Sequence, residues 1–335
     1  VRDPLFDGLK VPDNRFAGGP FAVQQVGGVI GFASNDVWVP IATSNKGVVA
    51  NWNGASWLQE DLDAVNPPSE VDAVWGTSAN DLWVAARNFN GYLYHRTNGA
   101  WADDPAKPAA KKFFSVWGSS AGNVFVTGTS SGWVGSVWRK SGASWVAQTL
   151  PASVDFTKAT MGQVWGLDAN HVYATASVDL DADGNPDLGV FLFFDGSTWT
   201  NIPVPPGVVE LTRVHGTSSD DLFVSATMNT GAGALYHVTN SLGTWTQATV
   251  QNSIAGYGPV WSKYAGTALA GGYQPPAGDG ALRVTTLDQM GPADTVAPDT
   301  HGYNPVGVWL VLNKVSLVTS AAAVTPAGFY QADCN

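Results

Sequence analysis

Asp179, Asp181, Asp183 and Asp187 fall within the nine-residue run Asp179-Leu180-Asp181-Ala182-Asp183-Gly184-Asn185-Pro186-Asp187. Carboxylates at alternate positions, turned back on themselves by Gly184, present oxygen ligands around one point. A hard cation taking about six to eight oxygens requires that arrangement, and calcium is its natural occupant. A solvated acidic turn would carry the same residues, but carboxylates crowded this closely repel one another strongly without a cation.

Two histidines form a second candidate. His171 stands where Asp36, Asp81 and Asp221 stand in a recurring turn, and His215 replaces a recurring tryptophan. On adjacent repeats the pair could converge on a transition metal such as copper. Two independent substitutions at packing positions are the competing explanation, because a metal site needs a third ligand and orienting partners that the sequence does not show. His95 and His237 occupy matching places three repeats apart, too far to share an ion, and His301 reads as a solvated loop residue. Trp133, inside the Gly- and Ser-rich stretch 130–135, is the candidate aromatic platform for a ligand. Variable loops on a rigid scaffold are where binding sites are usually built, although a loop tryptophan is often tucked into its own sheet. No Gly-x-Ser-x-Gly elbow, phosphate loop or His-Glu-x-x-His motif occurs. No catalytic residue is therefore assigned, while a hydrolase or lyase with a site assembled from several repeats in a central channel stays open.

The elements that position these residues follow from a repeat. Val74-Trp75-Gly76, Val116-Trp117-Gly118, Val164-Trp165-Gly166, Val214-His215-Gly216, Val260-Trp261 and Val308-Trp309 recur at intervals of 42 to 50 residues, and Val29-Ile30-Gly31 opens a degenerate earlier copy. Within each copy the apolar and polar residues alternate with period two, and turn residues interrupt them every eight to twelve positions, which predicts short antiparallel strands. In the copy around Trp75 these strands are expected at 71–76, 81–86, 91–96 and 99–102. Repeats of about 40 to 50 residues holding four strands each read as propeller blades. The expected fold is therefore all-β: a seven-bladed β-propeller of four-stranded antiparallel blades, one domain over residues 1–335. The tryptophans of the repeat are expected in the seams between blades. The last repeat ends after a third strand near Gly328–Ala332, so the N-terminal segment around Pro4–Leu9 is expected to close the ring and remove the open edge.

Some of these residues carry resemblances. The turn before the outermost strand, as in Asp195-Gly196-Ser197-Thr198-Trp199 and Asn98-Gly99-Ala100-Trp101, resembles the Asp-box hairpin of other propellers, with the Trp packing back over its blade. The acidic run is similar to the calcium loops of integrin-type FG-GAP repeats, which implies that the seventh position, Asn185, adds a backbone carbonyl to the Ca2+ ligands. It departs from an EF-hand, having Val190 in place of the twelfth-position Glu. In size and in Trp-rich blades the chain resembles the secreted copper-binding propellers of methanotrophic bacteria. Those hold copper with two histidines and an oxidised tryptophan two residues before one of them, and no Trp-x-His occurs here, so the likeness covers the fold only.

Composition narrows the function. With 44% hydrophobic and 13% charged residues, 38 Gly and 15 Trp, the chain is too apolar and aromatic to be disordered. A net charge of −11, with no basic cluster larger than Lys111-Lys112, argues against binding phosphate backbones, so no nucleic-acid partner is expected. No apolar run approaches about 18 residues, hence no membrane span is expected. Val1-Arg2-Asp3-Pro4 lacks a signal-peptide pattern, which fits a mature or trimmed product, and the single Cys334 forms no internal disulfide. The expectation is a secreted or cell-surface propeller, stabilised by Ca2+, that binds an extracellular glycan or protein. The alternative is an extracellular metal-handling propeller.

Overall fold

The computed structural model describes residues 23–43, 46–63, 67–241, 243–254, 256–262, 265–274, 279–286, 294–295, 304–311, 314–320 and 328–333. It is all-β and propeller-like. Five four-stranded antiparallel sheets follow one another at 70–103, 110–147, 159–202, 208–254 and 256–295. A sheet at 23–61 precedes them, its inner strand split into Val23–Val26 and Ile30–Ala33, and a three-stranded sheet at 304–333 follows. The expected closing strand near Pro4–Leu9, like Cys334 and His301, lies outside the described residues. No helix among the described residues is long and apolar enough to cross a membrane.

Strands form where the alternation predicts them. In the second sheet they are Glu70–Ser78, Asp81–Arg87, Gly91–Thr97 and Ala100–Asp103. The second strand of this sheet, like those of the third and fourth, is buried through its interior because neighbouring sheets cover both faces. The outermost strand of each of these sheets is more exposed.

Between sheets, the innermost strands carry the packing. The Trp75 ring lies so close to Gly118 of the next sheet that a Cβ there would sit 2.6 Å from it, and Trp117 approaches Gly166 in the same way at 2.7 Å. Trp165 meets His215 at 4.6 Å between ring centroids, and His215 meets Trp261 at 5.6 Å. The tryptophans at 75, 117, 165 and 261 therefore sit in the seams as the repeat predicts, and they also face a central cavity. Trp309 is on the strand Asn304–Val311, with its side chain outside the described residues.

Within sheets, the recurring Asp anchors three strands. Thr77 Oγ1 donates to Asp81 Oδ2 at 2.5 Å, His95 Nε2 bonds Asp81 Oδ1 at 2.8 Å, and Trp83 stacks on His95 at 3.8 Å. Thr217, Asp221, His237 and Phe223 repeat the arrangement in the fifth sheet. The matching histidines thus serve strand pairing. The outer tryptophans do more than cover their own sheets. Trp101 Nε1 donates to Glu60 of the first sheet at 2.7 Å, and Glu60 also grips Arg96 with both oxygens. Trp145 stands edge-on to Trp83 and donates to Asp104, while Trp245 packs on Tyr173 and Phe193. Each of these three reaches back to the preceding sheet or its connection, because the outer strand lies beside that sheet's rim.

The seam makes a specific demand on its glycines. Gly166→Ala should lower stability by about 1 to 3 kcal/mol through overpacking, and Trp117→Ala by about 3 to 5 kcal/mol through the cavity left behind. Both are read as lowered urea midpoints; an unchanged midpoint for Gly166→Ala would contradict the packing.

Candidate functional site

The acidic run bridges the strands His171–Val178 and Leu188–Phe194. Its conformation is fixed by its own amides. Asp179 accepts from Ala182 N–H at 2.7 Å and Gly184 N–H at 2.9 Å, and Asp187 accepts from Leu180 N–H at 2.8 Å. Gly184 has φ 92°, a left-handed conformation that glycine adopts without the usual Cβ clash. One carboxylate oxygen from each of Asp179, Asp181 and Asp187 lies within 4.8 Å of the others. Asp183 stands apart from this trio: its Oδ1 accepts from Asn185 N–H at 2.7 Å, and hydrogen bonds from Asn185 hold its carboxyl below the usual range. Of the five residues expected to hold calcium, the structure thus draws three carboxylates together. Their all-oxygen chemistry suits a hard cation.

Trp133 shares a pocket with this loop. Its side chain is 63% exposed, and its backbone takes φ 66°, held by Trp133 N–H to the Ser130 carbonyl. A cavity of about 540 Å³ joins Trp133 to Asp179, Gly184, Asn185 and Pro186, with Phe114 also in its wall. Arg87, Lys112 and Lys158 supply cations to the same wall. Both loops are tied to the incoming connection of their sheet, by Ser131 N–H to Ala109 O and Asp179 N–H to Lys158 O. Lys158 Nζ also donates to Leu180 O at 2.5 Å.

The histidine pair is engaged differently. His171 Nδ1 bonds Asp168 at 2.9 Å at the solvent-exposed turn between the first two strands of its sheet. His215 Nδ1 accepts the Ser262 N–H at 3.0 Å, and burial lowers its pKa to about 3, so the ring is neutral. Neither histidine belongs to a three-ligand group among the described residues.

A second cavity, of about 450 Å³, runs between the inner strands of the first six sheets. Trp75, Trp117, Trp165, His215 and Trp261 line it, with Phe32 and Phe114. Asp72, Gln163 and Arg213 also face it. These residues lie at or beside register shifts that recur at matching points of the inner strands, between Val71 and Ala73, Phe113 and Ser115, Met161 and Val164, and Leu211 and Arg213. Bulges of this kind re-aim side chains. Asp72 Oδ2 lies 3.3 Å from Arg87 Nε yet has no hydrogen-bond partner. Burial raises the Asp72 pKa to about 7 against the attraction of Arg87. Burial likewise lowers that of Arg213, opposed by Asp72 and Glu210. The signal for these two residues was present in the sequence: a charged group two or three places before the repeat's aromatic, where the other copies carry Phe114, Ser115, Gly162 or Gln163.

No protein-family model matches the chain, and no curated protein does. Solved structures share its fold. YCF48 bound to D1 peptide is 15% identical over 95% of each chain, with a TM-score of 0.64. The β-propeller domain of the Trilobed protease from Pyrococcus furiosus is 9% identical over 93% of this chain and 96% of that one, at 0.63. The GH74 xyloglucanase from Xanthomonas campestris is 16% identical over 92% of this chain and 54% of that one, at 0.60. At these identities the likeness establishes the β-propeller fold alone.

Asp72 gives the cavity a pH signature. Its pKa rises from 3.8 to about 7 on folding, so between these values the unfolded chain loses the proton that the folded chain keeps. Its contribution to stability is complete below about pH 4 and is lost as pH rises to about 7. Arg87, Lys112 and Arg213 facing it oppose this shift, and Glu70 adds to it. Asp72→Asn should therefore gain on the wild type in urea midpoint as pH rises through that window. A pH-independent difference would contradict the buried carboxyl.

Proposed function

We propose that the chain is a secreted, calcium-stabilised, seven-bladed β-propeller that serves as a binding module for an extracellular carbohydrate or protein. The contacts of the first sheet's inner strands with the last sheet support a closed ring of seven blades. The observation that carries the binding role is the exposed Trp133 ring sharing one pocket with the acidic loop. An aromatic platform beside oriented polar groups suits the apolar face and hydroxyls of a sugar, or a peptide side chain with its backbone. YCF48, of similar fold, was solved with a peptide bound, which favours the same reading. Among the described residues, a hydrolase acting in the central cavity finds one carboxylate in its wall, Asp72, where a glycosidase uses a pair.

In this reading Asp179, Asp181 and Asp187 hold the Ca2+, and Asp183 and the Asn185 carbonyl complete the shell once the cation draws them in. The ion fixes the loop that forms one wall of the pocket. Binding to the native state alone stabilises by about 2.7 kcal/mol at one hundred times the dissociation constant. Chelation should lower the melting temperature, and Asp181→Ala should abolish that response. A chelator-insensitive wild type would exclude the calcium role. On a glycan array or in a protein pull-down, Trp133→Ala should reduce binding at least tenfold, about 1.4 kcal/mol, with melting unchanged. Retained binding would place the ligand elsewhere.

A further inference from the structure

The central cavity is walled by aromatic rings, with the polar side chains of Asp72, Gln163 and Arg213 set among them. We propose that it is a second binding site, separate from the Trp133 pocket, for a neutral saccharide of one or two rings.

Size, walls and charge point the same way. About 450 Å³ lies in the range of small-ligand sites. Trp75 and Trp165 are only partly buried and face the space, so their apolar surface is open to a flat ring. The Asp72 side chain lines the cavity, and its Oδ2 is paired with Arg87 Nε at 3.3 Å without an aligned hydrogen bond, so the buried carboxyl is only partly compensated. A ligand hydroxyl bonded to the Asp72 carboxyl from the cavity side would add to that compensation, and the Arg213 guanidinium on the same wall offers donors for a second oxygen.

Charge selects against the alternatives. A cationic ligand would meet the Arg213 guanidinium in the wall, with Arg87 and Lys112 adding positive charge around Asp72. An anionic ligand would meet Asp72 itself, with Glu70 acting on Asp72 and Glu210 on Arg213. The wall therefore combines both signs, which suits a ligand with hydroxyl donors and acceptors and no net charge. Pyranose rings carry such hydroxyls around apolar faces.

The test is a panel of neutral mono- and disaccharides at millimolar concentration, with uronate and amino-sugar counterparts, followed by tryptophan fluorescence and calorimetry. A neutral member should bind and perturb the fluorescence. Asp72→Ala should weaken it at least tenfold, and Asp72→Asn, which keeps the shape, should weaken it severalfold and covers a failure of Asp72→Ala to fold. Trp133→Ala and chelator should leave this binding intact. Absence of binding by every neutral member, preference for the charged ones, or undiminished affinity in the folded Asp72 variants would overturn the proposal. Binding lost in Trp133→Ala but kept in Asp72→Asn would overturn it while leaving the Trp133 pocket supported.

Discussion

The inner tryptophan pressed onto the backbone of the next sheet is the contact on which the rest of the architecture depends. Trp75 over Gly118 and Trp117 over Gly166 leave no room for a Cβ, so these glycines are required by the neighbouring ring as well as by the adjacent strand of their own sheet, which alone excludes a Cβ at Gly76 and Gly216. Where the fifth repeat carries His215, the seam is made by ring contacts to Trp165 and Trp261 instead, and burial keeps that imidazole neutral. Protein interiors pack densely and tolerate little change of volume, so a seam built this way sets the spacing between sheets.

That spacing has two consequences for function. Toward the axis, the recurring bulges turn Asp72, Phe114, Gln163 and Arg213 into one cavity. At the rim, the loops between second and third strands stand beside the incoming connections and are hydrogen-bonded to them, as at Ser131 with Ala109 and Asp179 with Lys158. The Trp133 loop and the acidic loop belong to neighbouring sheets, so rigid seams bring them to one pocket. Phe114 forms part of both cavities.

Much of this was legible in the sequence. The Val-Trp-Gly repeat located the inner strands, and the alternation located Asp81–Arg87 and Gly91–Thr97 to within a residue, because both depend on local pattern. The spacing of the acidic run singled out Asp179, Asp181 and Asp187, whose carboxylates the structure brings within 4.8 Å of one another. What local pattern does not carry is which sheet a side chain meets. Nothing near Trp101 announces Glu60, 41 residues away, as its hydrogen-bond acceptor. The significance of Asp72 and Arg213 lies in facing one cavity from different sheets, which no local pattern encodes. The turn of Asp183 toward the Asn185 amide is a matter of side-chain conformation that spacing leaves open.

The central functional claim is that a cation held by Asp179, Asp181 and Asp187 and the Trp133 ring form one site. Terbium, a luminescent substitute for calcium with the same preference for oxygen ligands, tests it directly by energy transfer from tryptophan. Excitation of the indoles should give terbium emission that calcium competes away, that Asp181→Ala abolishes and that Trp133→Phe strongly reduces. Absence of sensitised emission, or emission indifferent to Trp133, would contradict the account.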